Sequence, residues 1–190
     1  MRVIGGSARG RRLKVPKGHG VRPTAARVKE ALFDILPLDF SDMHVLDLFA
    51  GSGNVSIEAL SRGAAKAILI DESSRSAAAI RDNLLRLEFN DRAQIWTTPA
   101  LRALRKLAQS GERFDLIFVD PPYDKALVDV SLKTIARFEL VSTGGRVVVE
   151  HSAREGVKSR YDNLVLHDQR RYGDTLLSFF KKDAVSHSAI

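Results

Sequence analysis

Between residues 44 and 151 the chain alternates short apolar runs with longer segments whose apolar residues recur every three or four positions. The runs are HVLDLF (44–49), KAILID (66–71), AQIWTT (93–98), FDLIFVD (114–120) and GRVVVEH (145–151). Their length and β-rich composition predict strands, and the segments 54–62, 73–87, 100–110 and 125–138 predict helices. Near-continuous apolar strands separated by helices indicate a mostly parallel sheet covered on both faces, an α/β fold. Ahead of this core, VRPTAARVKEALFDIL predicts a helix with Thr24 as its N-cap. Val28, Leu32, Ile35 and Leu36 share one face, and Pro37 is the stop. Beyond the core, NLVLHDQRRYGDTLLSFFKK holds two β-rich runs joined by YGDT, a hairpin that gives the sheet an antiparallel edge. Residues 1–22, rich in glycine and basic groups, predict a small β-hairpin or a mobile arm. Residues 23–183 form the main domain, and 184–190 a frayed tail.

Composition sharpens this picture at the N-terminus. The net charge is +7, yet the first 29 residues carry nine basic residues and no acidic one. That segment is +9 and the rest of the chain −2, so a nearly neutral body wears a basic arm. Such an arm suits a polyanion: Arg9, Arg11, Arg12, Lys14, Arg22 and Arg27 are positioned to neutralise phosphates without reading sequence. Arg170 and Arg171 are weaker candidates of the same kind. The chain has no cysteine, which excludes disulfides, thiolate zinc sites and cysteine nucleophiles. No metal-ligand spacing is evident. No apolar run reaches the roughly 18 residues of a membrane span, and the N-terminus lacks a secretory apolar stretch, so a soluble cytoplasmic protein without a membrane partner is expected.

Chemistry enters at VLDLFAGSGNVSIEAL. Asp47 lies in a buried strand, and the turn Gly51 to Gly53 follows just before a helix. Such a turn admits a ligand close to the backbone and presents helix amides to it. A dinucleotide fingerprint would place glycine where Ser56 stands, and Asp47 would repel a pyrophosphate while welcoming an ammonium. Asp71, 20 residues beyond Gly51, is spaced to accept from both hydroxyls of a ribose. A nucleoside joined to an amino acid satisfies both carboxylates, and S-adenosylmethionine is that molecule. These features count against a dehydrogenase.

The second cluster is DPPY, Asp120 to Tyr123, at the end of a strand. The prolines supply no amide donors and hold the backbone extended. The Asp120 carboxylate and the Pro121 carbonyl can then act as acceptors beside the flat face of Tyr123. Two acceptors and an aromatic platform suit the exocyclic amine of a planar base. Asp115, Glu150 and His151 also stand on strands, but polar residues there usually satisfy local backbone. Adenine and guanine both offer such an amine, so the residues alone do not choose between them.

The chain resembles the bacterial RsmD-type 16S ribosomal RNA (guanine-N2) methyltransferases, within the S-adenosylmethionine-dependent methyltransferases. The likeness rests on RVIGGSARGRRL, RPTAARVKEALFDIL, LDLFAGSGNVSIEALSRGA, FVDPPYDK, VVVEH and RRYGDTLLSFF, nearly end to end. It implies a Rossmann-like methyltransferase sheet with an antiparallel final strand and a small N-terminal β-extension that helps bind RNA. It implies that Asp47, Phe49, Ala50, Gly51, Ser52 and Gly53 line the methionine side of the cofactor, and Asp71 and Glu72 the ribose. Asp120, Pro121, Pro122 and Tyr123 would hold the guanine amine, and Thr24 would join the arm's basic residues on RNA. The partner so implied is 16S RNA within the small ribosomal subunit or its assembly intermediate, met by a monomer. One loop departs from the family pattern: Pro99 offers no polar side chain, which leaves the Ala100 amide for adenine. Two other functions share these residues, a DNA adenine methyltransferase and a non-catalytic RNA-binding assembly factor. The first would carry a large target-recognition domain, for which 190 residues leave no room.

Overall fold

The structure is a computed structural model that describes residues 1–16, 23–36, 39–122 and 126–183. The chain divides into two compact units, Met1–Ala100 and Leu101–Ile190.

The first unit contains α1 (Pro23–Ile35), β1 (His44–Asp47), α2 (Asn54–Ser61), β2 (Lys66–Asp71), α3 (Ser74–Arg86) and β3 (Ala93–Thr97). β2 pairs in parallel with β1 and with β3, setting Leu46 opposite Ile68 and Leu69 opposite Ile95. Val45, Leu46, Leu69 and Ile70 are fully buried, as expected of strands covered on both faces. α2 packs on β1 and β2, and α3 on β2 and β3. Every residue of α2 from Val55 to Ser61 is buried, so this short helix is enclosed on all sides. The expected N-cap at Thr24 is not found. α1 starts at Pro23, whose fixed φ and missing N–H suit the first helical position, and Thr24 lies within the first turn. Pro37 falls outside the described residues.

Residues 1–16 fold back on themselves through a bridge between Arg2 and Arg12. The Val3 amide donates to the Arg11 carbonyl (3.0 Å), and the Leu13 amide to the Met1 carbonyl (3.0 Å). Val3, Ala8 and Leu13 are buried, which gives the segment an apolar underside despite its charge.

The second unit holds most of α4 (Ala100–Gln109), with β4 (Phe114–Val119), α5 (Leu127–Arg137), β5 (Val141–Ser152), β6 (Arg160–Tyr161), β7 (Leu164–Tyr172) and β8 (Thr175–Lys182). Its strands run in the order β4-β5-β8-β7-β6. β4 and β5 are parallel, and the remaining pairs antiparallel, so the C-terminal hairpin forms the edge expected of it. β5 begins four residues earlier than its apolar run. Phe114 faces Val141 but Leu116 faces Arg146, and Gly144 in this bulge has φ 78°. His151 is buried, its Nε2 bonded to Ser178 Oγ (2.8 Å) and its Nδ1 against the Ser152 and Glu155 carbonyls (3.0 and 2.8 Å). Gln169 donates to the same hydroxyl (2.8 Å), so His151 joins β5, β8 and β7 and has no catalytic geometry. No helix among the described residues is long and apolar enough to cross a membrane.

Candidate functional site

The carboxyl ends of β1 and β2 build one loop. Asp71 ends β2, and its Oδ2 accepts from the Gly51 amide (2.8 Å) while its Oδ1 accepts from the Ser73 amide (2.8 Å). The Ala50 amide donates to the Ile70 carbonyl (2.9 Å) and the Gly53 amide to the Ala50 carbonyl (2.7 Å). Gly51 and Gly53 both have positive φ, 54° and 76°, but for different reasons. A Cβ at Gly53 would lie 3.1 Å from Leu69 and 3.2 Å from Ile57, so this glycine seats the loop on the core. A Cβ at Gly51 would meet nothing within 4 Å and would stand in open space beside the loop.

Asp47, at the end of β1, is 2% exposed. The Ser56 hydroxyl donates to its Oδ2 (3.1 Å), whereas Oδ1 has no hydrogen-bond partner. Burial pushes its carboxyl up to about 7. The Ser56 hydroxyl and the Phe49 amide hold it back, and the nearby Asp71 adds to the rise. A buried orphan oxygen is costly, and a cationic donor arriving at this loop would satisfy it. Phe49 and Gly51 are half-buried, Ala50, Ser52 and Ala100 are buried, and Glu72 and Pro99 are exposed.

The basic arm meets the same elements. Glu58 on α2 is fully buried, and its carboxylate accepts from the Ile4 amide (2.8 Å) and the Gly5 amide (2.7 Å). Lys29 of α1 donates to Glu58 (3.1 Å), to the Arg2 carbonyl (2.6 Å) and to Asn54 Oδ1 (2.9 Å). Arg62 completes the cluster with a bond to Glu58 (3.0 Å) and lies over the Phe33 ring. Burial lowers the Lys29 pKa from its ordinary value, and the Glu58 charge opposes that fall. Ser61 adds two more ties, accepting from the Ala8 amide (2.9 Å) and donating to the Gly5 carbonyl (2.6 Å). Arg9, Arg12 and Arg27 are exposed. Arg11 reaches the Arg86 carbonyl at the end of α3 (2.9 Å), and Lys14 pairs with Asp82 (2.5 Å), so these two also serve the fold. Arg22 lies outside the described residues, and Thr24 is placed only by its backbone in α1.

In the second unit β4 delivers DPPY at its carboxyl end. Asp120 is half-buried, Pro121 buried and Pro122 exposed, while Tyr123 lies outside the described residues. The sequence pattern pointed to Asp47, the glycine turn and Asp71, which the fold brings into one loop. It did not point to Lys29, Glu58 or Asn83. The available signal was Glu58 itself, a charge within the small and apolar run VSIEALS.

A family model described as Conserved hypothetical protein 95 matches residues 1–181. The Ribosomal RNA small subunit methyltransferase D of Escherichia coli (strain K12) is 32% identical over 188 residues, covering 99% of this chain and 93% of that protein. YlbH of Bacillus subtilis (strain 168) is 37% identical over 182 residues, covering 96% and 99%. Among solved structures, yhhF from Escherichia coli is 33% identical with a TM-score of 0.84, covering 97% of this chain and 99% of that one. The fold is the Rossmann-like class I methyltransferase fold, its parallel strands ending in antiparallel ones. The chain therefore belongs to the Conserved hypothetical protein 95 family, within the S-adenosylmethionine-dependent methyltransferase superfamily.

Proposed function

We propose that this protein transfers a methyl group from S-adenosylmethionine to the N2 amine of a guanine in 16S RNA, within the small ribosomal subunit or its assembly intermediate. The observation that carries this reading is the pairing of two strand ends in one chain: a glycine loop with an orphan carboxylate oxygen after β1, and the amine-accepting sequence DPPY after β4. Similarity over nearly the whole chain to a ribosomal RNA small subunit methyltransferase supports the substrate class.

The residues present fit the cofactor. Asp47 Oδ1 is an unfilled acceptor for an ammonium, the space beside Gly51 accepts a ligand against the backbone, and each Asp71 oxygen retains acceptor capacity for a ribose hydroxyl. When bound, S-adenosylmethionine supplies an electrophilic methyl on a sulfonium. The chain supplies the other half of the chemistry. The Asp120 carboxylate and the Pro121 carbonyl accept the two N–H groups of the base amine, and Tyr123 stacks on its ring. An aryl amine is a poor nucleophile because its lone pair is delocalised into the ring, and holding both protons turns that lone pair out of conjugation. The nitrogen would pass one proton to solvent for the methyl it gains. That proton is acidic only on the cationic product, so Asp120 need only stabilise the developing charge.

Asp47 sets a pH dependence with two opposite signs. Its carboxyl in the ligand-free fold sits at about 7, above the ordinary 3.8. Its contribution to stability is therefore fully present below pH 3.8 and is lost as pH rises through 7. Binding runs the other way, because only the carboxylate neutralises an ammonium. Between pH 5.5 and 7.5, S-adenosylmethionine affinity is expected to rise by roughly tenfold, while its amino group stays protonated below about 7.7. In Asp47→Asn both trends flatten and affinity stays low. Titration calorimetry and thermal melts across that range check this, and a rise in affinity retained by Asp47→Asn would assign it to another group.

The arm is assigned to RNA phosphates. Replacing the exposed Arg9 and Arg12 by alanine is expected to weaken binding to the ribosomal particle and to reduce the slope of log K against log salt by about 1 to 2. An unchanged slope would remove the arm from the RNA interface. The reading as a whole is tested by offering labelled S-adenosylmethionine with three acceptors: small subunits lacking the modification, free ribosomal RNA and duplex DNA. Label on the particle is expected. Label on DNA alone would favour a DNA adenine methyltransferase, and cofactor binding without any label would favour a non-catalytic assembly factor.

A further inference from the structure

We propose that Asn83 is a positioning residue for the cofactor loop, locking the carbonyl of Ser52 and the basic arm into one geometry through a single side chain. The inference rests on the cofactor reading given above. Asn83 lies on α3 and is 1% exposed. Its Oδ1 accepts from the Lys14 amide (2.8 Å), and its Nδ2 donates to the Lys14 carbonyl (2.9 Å) and to the Ser52 carbonyl (3.1 Å). Both donors and one acceptor are thus used on backbone 31 and 69 residues away in sequence. Satisfying α3 itself would need none of these bonds.

Ser52 stands between the two glycines of positive φ, where the backbone has the most freedom to move. Three bonds remove that freedom. Asp71 holds the Gly51 amide, and the Ser52–Gly53 peptide is held from both sides, its N–H by the Ala50 carbonyl and its C=O by Asn83. The first two come from β2 and from the loop's own turn. Only the Asn83 bond reaches across to α3, and the same amide fixes Lys14, so a shift of the arm at Lys14 is felt at Ser52. A loop held in its binding geometry before the ligand arrives avoids the ordering cost on binding, which appears as affinity.

Asn83→Asp removes both donors and keeps the acceptor for the Lys14 amide in a side chain of the same shape. S-adenosylmethionine binding by this variant is expected to be about tenfold weaker than wild type by titration calorimetry of the full chain, at a temperature well below both melting points. Leu84→Ala supplies the control. It sits one position along α3, 2% exposed, and should lower the melting temperature at least as much while leaving cofactor affinity within about twofold. Equal affinity in wild type and Asn83→Asp would overturn the inference, as would a Leu84→Ala loss as large as that of Asn83→Asp. A wild-type protein that does not bind the cofactor would overturn the cofactor reading, and this inference with it.

Discussion

Asp120→Ala is expected to lower kcat for methyl transfer by about 100- to 1,000-fold while S-adenosylmethionine affinity stays within about threefold. The separation follows from where the residues stand. The cofactor loop is built by β1, β2 and α2 in the first unit, with its own hydrogen bonds, whereas Asp120 follows β4 in the second. In the proposed clamp, removing the carboxylate deletes the stronger of the two acceptors for the base amine, so the lone pair is no longer aimed and the developing cation loses a counter-charge. Asp120→Asn keeps one oxygen acceptor and should retain more turnover than the alanine variant, by about tenfold. Single-turnover rates on small subunits, with cofactor affinity measured beside them, provide the check. Near-normal turnover in Asp120→Ala would remove this residue from the mechanism. An alanine variant that loses cofactor binding in step with rate would make Asp120 part of the cofactor site.

Glu58→Ala is expected to destabilise the protein by about 3 to 5 kcal/mol. The carboxylate is the shared acceptor of the Ile4 and Gly5 amides, the Lys29 ammonium and the Arg62 guanidinium. Its removal takes the acceptor from two backbone donors and the counter-charge from a buried cation, with Lys29 only 4% exposed. For a chain of this size the loss corresponds to roughly 6 to 20 °C in melting temperature. Glu58→Gln keeps one oxygen and loses the charge, and should fall between wild type and alanine. The arm is expected to respond first, since Arg2, Ile4 and Gly5 are all tied to this cluster. Protease cleavage within residues 1–16 should appear in Glu58→Ala under conditions where the wild type resists. A loss below about 1 kcal/mol, with the arm still protected, would mean that the apolar contacts of Val3, Ala8 and Leu13, with the Ser61 and Asn83 bonds, hold it without Glu58.

These two residues differ in how far they could be read from the chain. Asp120 announces itself, because a strand that ends in Asp-Pro-Pro-Tyr has no conformational reason to carry those groups together. Asp47, Gly51 and Asp71 are equally legible as a pattern, since one βαβ unit fixes their spacing and the parallel register of β1 and β2 sets Asp47 opposite Leu69, two residues short of Asp71. Glu58 and Asn83 are not, because apart from Arg62 their partners lie 29 to 69 residues away and hydrophobic periodicity carries no information about such pairings. The pattern leaves the arm as either hairpin or mobile, because charge dominates its composition and few of its side chains are apolar and buried. The strands and helices of the core were placed within a few residues for the opposite reason: each is a local apolar run bounded by its own turn. The misses, the early start of β5 and the short β6, occur where a bulge and a two-residue pairing depend on neighbouring strands.

The most direct measurement is the identity of the labelled nucleoside after small subunits lacking the modification are incubated with the enzyme and methyl-labelled S-adenosylmethionine, then digested and separated. N2-methylguanosine as the labelled product is the expected result, with label absent in Asp120→Ala. Label in N6-methyladenosine would keep the amine clamp and contradict the assignment of guanine. Label on a ring nitrogen, a carbon or a ribose oxygen would contradict the clamp itself.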